Sequence, residues 1–136
     1  VRQLKGHTRG ARYVTFGELE GHTVIIASGA DGVIRVWDAV NGNEVAKLYG
    51  HTDGVWGLAS GSHRGRAIVA SSSDDLTIRI WDLKSQRSLI IPQASPAYAV
   101  ALSDGWLAVG SYRHVYSLKF ENPIFEEMTE LRQADG

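Results

Sequence analysis

The chain has 136 residues, 43% apolar and 21% charged, a balance that fits one small globular domain and excludes a disordered chain. Fourteen Lys plus Arg against fifteen Asp plus Glu leave a formal net charge of -1, without the broad positive field that phosphate backbones attract, so nucleic acid is not an expected partner. The absence of cysteine excludes a disulfide framework, a thiolate nucleophile and Cys-ligated zinc, and leaves the compartment open.

Residue one is Val and no charged, then apolar, leader opens the chain, which points to a piece of a longer protein. Residues 1–4 read as a short strand. Four more β-rich runs follow at 12–16, 24–28, 33–37 and 44–48, separated by turn signals at Ala30-Asp31-Gly32 and Asn41-Gly42. In the third run Ile34 and Val36 alternate with Val33, Arg35 and Trp37, the period of two that a strand imposes. Arg35, and Arg79 further on, are expected on an exposed strand face.

The same pattern then returns. Residues 1–38 laid on 45–82 give fourteen identities without a gap, where composition alone would give about two or three. They include Gly6/Gly50, His7/His51, Ser28/Ser72, Asp31/Asp75, Arg35/Arg79, Trp37/Trp81 and Asp38/Asp82. A fixed period of 44 marks a repeat architecture. The uncharged stretch 88–103 contains Pro92 and Pro96 and is shorter than the roughly 20 apolar residues of a membrane span, so no membrane contact is expected. A third unit reads as strands at 98–102, 106–111, 115–120 and 124–131, but no Gly-His precedes it. Arg113 and His114 occupy its turn, and Lys119 or Phe120 stands where the tryptophan belongs.

The Gly-His pairs Gly6-His7 and Gly50-His51, the Trp-Asp pairs Trp37-Asp38 and Trp81-Asp82 and the 44-residue period together resemble the WD-repeat family of β-propellers. The two full copies cover about 60% of the chain. The resemblance implies an all-β fold of about three four-stranded antiparallel blades, preceded by one outer strand. The divisions are 1–4 for that strand, 5–48 and 49–92 for the full blades and 93–136 for the degenerate one. Propellers close with four to eight blades, so either the chain belongs to a longer protein or several copies complete a ring.

Ser, His and Asp within one repeat invite comparison with a hydrolase triad, but the set occurs twice, as His7, Ser28, Asp31 and as His51, Ser72, Asp75. The resemblance implies two structural tetrads instead, His7, Ser28, Asp31, Trp37 and His51, Ser72, Asp75, Trp81. In each, the His bonds the Asp and the Ser, and the Ser bonds the indole. It further implies a non-catalytic protein-interaction scaffold without cofactor or metal, in an intracellular setting, that binds other proteins or peptides. Its partner face would be the top rim, at Arg12, Ala30, Trp56, Asp74, Tyr98 and Arg113. Val55 and Trp56 are neighbours on one strand, so with Val55 facing the blade interior Trp56 faces outward.

Residues 69–84 also resemble the box through which some WD-repeat proteins dock on the adaptor of cullin ubiquitin ligases, with Asp75, Trp81 and Asp82 in place and Lys84 where an arginine is usual. A substrate-receptor role is therefore the alternative reading, and a Ser-His-Asp hydrolase a more remote one. His63, Arg64 and Arg66 form a small basic loop that could meet an acidic partner.

Overall fold

A computed structural model describes residues 3–7 and 9–120, and among these every regular element is a strand. The first sheet consists of β1 (Ala11–Leu19), β2 (His22–Gly29), β3 (Ile34–Asp38) and β4 (Glu44–Leu48), in that spatial order and antiparallel throughout. The second repeats it with β5 (Val55–His63), β6 (Arg66–Ser73), β7 (Thr77–Asp82) and β8 (Ser88–Pro92). The third has β9 (Ala97–Ser103), β10 (Trp106–Ser111) and β11 (Val115–Lys119). The strand expected over 124–131 lies outside the described residues, as do Val1 and Arg2, and Gln3 and Leu4 form no strand.

Alternation along each strand places the core between blades, not within them. Val24, Ile26, Ile34, Val36, Ala46 and Leu48 of the first sheet meet Leu58, Val69, Trp81 and Leu83 of the second. The opposite face of the second sheet, Ile68, Ala70, Ile78, Ile80, Leu89 and Ile91, meets Leu107, Val109, Leu118 and Phe120 of the third. Each such buried aliphatic contributes about 1.5–3 kcal/mol, so the two seams hold the blades side by side.

The third blade keeps this packing while losing its polar signature. Leu107 pairs with Leu118 just as Val69 pairs with Trp81, so the tryptophan position is filled by Leu118, not by Lys119 or Phe120. The same register puts Val109 at the position of Ser71 and Tyr116 at that of Arg79. Val109 and Leu118 thus replace the Ser71–Trp81 hydrogen bond with apolar contact.

A bulge recurs at the start of every inner strand. The register shifts between Ala11 and Tyr13, between Val55 and Gly57, and across Ala97 and Ala99, leaving Arg12, Trp56 and Tyr98 as the unpaired extra residues. A bulge releases one residue from the ladder and re-aims its side chain. Three residues, one per blade, are thereby turned out at the same end of the molecule.

Candidate functional site

The three bulge residues meet one another. The Arg12 guanidinium lies over the Trp56 ring, 4.3 Å from its centroid, and the Trp56 ring meets Tyr98 edge-on at 6.2 Å. The Trp56 indole N–H donates to Asp74 in the β6–β7 turn, and Arg12 Nη1 is 3.7 Å from the second Asp74 oxygen. Gly54 makes room for this arrangement, since a Cβ there would stand 2.6 Å from Arg12 Nη1 and 3.4 Å from the Ala30 backbone. Arg12, Ala30, Trp56, Asp74 and Tyr98 thus converge on one rim that crosses three blades. Trp56 is 40% exposed and Tyr98 49%, while Val55 beside Trp56 is buried. Arg113 lies in the β10–β11 turn, where its guanidinium sits over Tyr112 at 5.8 Å.

Beneath the rim, the second blade contains a continuous hydrogen-bonded chain. His51 Nδ1 is 2.8 Å from Asp75 Oδ2 and His51 Nε2 is 2.7 Å from Ser71 Oγ. The Trp81 indole donates to Ser71 Oγ at 2.8 Å. A neutral His51 with its proton on Nδ1 satisfies every link, because Nε2 then accepts the Ser71 hydroxyl proton. Thr77 donates to Asp75 Oδ1 from both its N–H and its hydroxyl, at 2.9 and 2.6 Å. Burial raises the Asp75 pKa, but hydrogen bonds from His51, Thr77 and the Thr52 N–H outweigh it and hold the carboxyl well below the usual carboxylate range.

The serine of this network is Ser71, which corrects the expectation of Ser72. Val69 pairs with Trp81, so strand parity puts Ser71 on the indole's face and Ser72 on the other. The Ser72 hydroxyl is buried without a partner. Ser28 is misplaced by the same step of one, and its hydroxyl also has no partner. The position that matches Ser71 in the first blade is Ala27. His7 Nδ1 therefore stands 3.7 Å from Asp31 Oδ1, beyond hydrogen-bond reach, and neither ring nitrogen of His7 has a hydrogen-bond partner. His7 meets Trp37 edge-on at 5.9 Å, as His51 meets Trp81 at 6.2 Å.

The Asp75, His51 and Ser71 order is that of a hydrolase triad, yet Ser71 is fully buried in the second sheet and its oxygen already accepts from Trp81. Of the four positions in the ligase-adaptor box, Asp75 is tied to His51, and Trp81 and Asp82 are buried. Asp82 caps the turn by accepting from the Lys84 and Ser85 N–H groups. Only Lys84 reaches solvent, 3.6 Å from Glu20.

Two residues of the basic loop are engaged within the chain, while Arg64 is exposed. His63 is buried against Phe120 and bonded to Asp104 at 2.8 Å, and Arg66 pairs with Asp82 at 3.2 Å. Arg35 and Arg79 are half-buried, not exposed. Arg79 donates to Ser88 Oγ and to the Gly50 carbonyl, and a Cβ on Gly50 would stand 2.6 Å from its guanidinium. The glycine of each Gly-His pair is thus explained by the arginine packed over it. Among the described residues no group of three or more His, Asp or Glu could hold a metal ion.

A WD domain, G-beta repeat profile matches residues 1–38 and 42–82, and the chain belongs to that family. Its fold is a partial WD-repeat β-propeller. It superposes with a TM-score of 0.76 on a chain of a humanized mutant of the Chaetomium thermophilum Polycomb Repressive Complex 2 bound to the inhibitor GSK126, at 21% identity, covering 87% of this chain and 28% of that one. The β-propeller domain of Myceliophteria thermophila Cps50 (Swd1) gives a TM-score of 0.72 at 19% identity, covering 86% of this chain and 38% of that one. The chain therefore spans well under half the length of either. Comparison with curated protein sequences gives no match.

Proposed function

We propose that the chain is a non-catalytic protein-interaction scaffold within a larger WD-repeat propeller, and that partners dock on the rim formed by Arg12, Ala30, Trp56, Asp74 and Tyr98. The observation that carries the reading is the threefold bulge, which spends one inner-strand residue per blade on an exposed aromatic or arginine instead of a core aliphatic. Trp, Tyr and Arg are the side chains enriched at interface hot spots, where large contact area combines with polar groups. Family membership supports an interaction scaffold in general. Against chemistry at the triad-like set stands the sealed Ser71, which no substrate reaches without opening the sheet.

The larger propeller is supported by the two outer faces. Val14 is 63% exposed, while Leu58, its counterpart 44 residues on, is 3% exposed beneath the first blade. Trp106 and Val115 are exposed on the far face of the third blade. Apolar faces of this kind are covered in a soluble protein, so the 136 residues alone are expected to self-associate. A stable dilute monomer in light scattering with one cooperative melt contradicts that. For the rim, changing Arg12, Trp56 and Tyr98 together to Ala in the complete propeller is expected to weaken partner capture by about 2 kcal/mol or more with the fold retained. Unchanged capture of every partner removes the rim from the interaction.

A further inference from the structure

The rim of the second blade already holds a ligand, and that ligand is Arg12 of the first. Its guanidinium is stacked on Trp56 and faces Asp74, the two features by which a protein surface takes up a planar cation. The slot is local to this blade. Ala30 replaces Asp74 in the first blade, so no carboxylate stands there, and Gly54 leaves open the space that the guanidinium fills. From this self-occupancy we infer that the Trp56–Asp74 slot is a receptor for a guanidinium side chain of a partner peptide, with Arg12 as an internal stand-in that the partner's arginine displaces. The inference rests on the rim being the docking face.

Charge and exposure favour this occupant over an anion. Among Arg12, Trp56, Asp74 and Tyr98 the one cation is Arg12 and Asp74 offsets it, so an incoming phosphate or carboxylate finds no net positive charge there. The Arg12 and Asp74 side chains are each 34% exposed, and an ion pair and a cation–π contact so open to water are weak. The internal guanidinium is therefore easily exchanged for an external one of the same chemistry. Once displaced, Arg12 still lies beside the slot, so the partner's arginine has to bring further contacts, and Tyr98 is the adjacent surface for them.

The test uses N-acetyl-arginine amide as probe and the Trp56 indole N–H resonance of the full protein as readout. Arg12→Ala is expected to give a saturable shift, with the wild type binding about tenfold more weakly because Arg12 competes. Adding Asp74→Asn to Arg12→Ala is expected to abolish the shift, and N-acetyl-lysine amide, which lacks the planar fork, to bind less well. Arg12→Met, which keeps the chain length, serves if the alanine variant loses its fold. Equal binding by wild type and both Arg12 variants, no binding by any, or a Trp56 shift with inorganic phosphate in the wild type overturns the inference. If the probe fails while the rim triple variant still loses partner capture, only the guanidinium preference falls and the docking face stands.

Discussion

The first and second blades are one sequence pattern written twice, yet only the second completes its internal hydrogen-bond network. Both supply the histidine, the turn aspartate and the tryptophan. They differ at two hydroxyls: Ser71 and Thr77 in the second blade face Ala27 and Val33 in the first. With both present, His51, Asp75 and Trp81 lie within 2.6–2.8 Å links, whereas without them His7 and Asp31 stand 3.7 Å apart. A signature motif thus does not by itself build the network. The small residues between its members decide whether the buried polar groups are satisfied.

The largest break in the comparison comes from the tryptophans. Trp81→Ala is expected to cost about 3–5 kcal/mol in urea melting, since it leaves a cavity in the seam between blades and removes one of the two hydrogen bonds of Ser71. Trp37→Ala costs less, because no described blade covers its face, and equal losses would show that the seam contributes nothing. Next, His51→Ala is expected to cost about 1–3 kcal/mol by taking one hydrogen bond each from Asp75 and the buried Ser71, with His7→Ala clearly smaller and exposed His22→Ala near neutral. Equal melting shifts at His51 and His22 would sink the network. The comparison is sharpened by repair: Ala27→Ser with Val33→Thr is expected to raise stability by about 1 kcal/mol. A loss instead would mean that His7 does not turn to meet the new hydroxyls.

The smallest effect is one of pH. Asp75 has a folded pKa below its ordinary value of 3.8, so its contribution is fully present above that value and is lost as pH falls below it toward the folded pKa. Melting temperatures taken downward from pH 5 are expected to fall less steeply in Asp75→Asn than in the wild type. Parallel curves would mean that the carboxylate is not held by its hydrogen bonds.

Much of the fold was legible because a repeat doubles every signal. The strand runs at 12–16, 24–28 and 44–48 all fall within observed strands, while 33–37 starts one residue early and stops one short of Asp38. Identity between the copies points to Ser72, whereas strand parity points to Ser71. Ser28 and Ser72 match each other, but counting in twos along β6 from Val69, the partner of Trp81, leads to Ser71. The family resemblance points to the rim positions and alternation with Val55 to the outward aim of Trp56, whereas the cause is a bulge, which no local pattern at Arg12, Trp56 or Tyr98 announces. Leu118 is not legible in the sequence because the third blade has no tryptophan to fix its register, and pairing with Leu107 reveals the equivalence.

The most direct test of the rim as the docking face is photocrosslinking from two ends of the complete protein. A benzophenone side chain at Tyr98 samples the rim, and one at Arg64 samples the hairpin turn between β5 and β6 at the opposite end. A partner that crosslinks from position 98 and not from 64, and is lost when Arg12 and Trp56 are changed to Ala, is the predicted result. Crosslinking of the same partner from position 64 alone, or undiminished capture at 98 after those changes, would contradict the assignment of the rim.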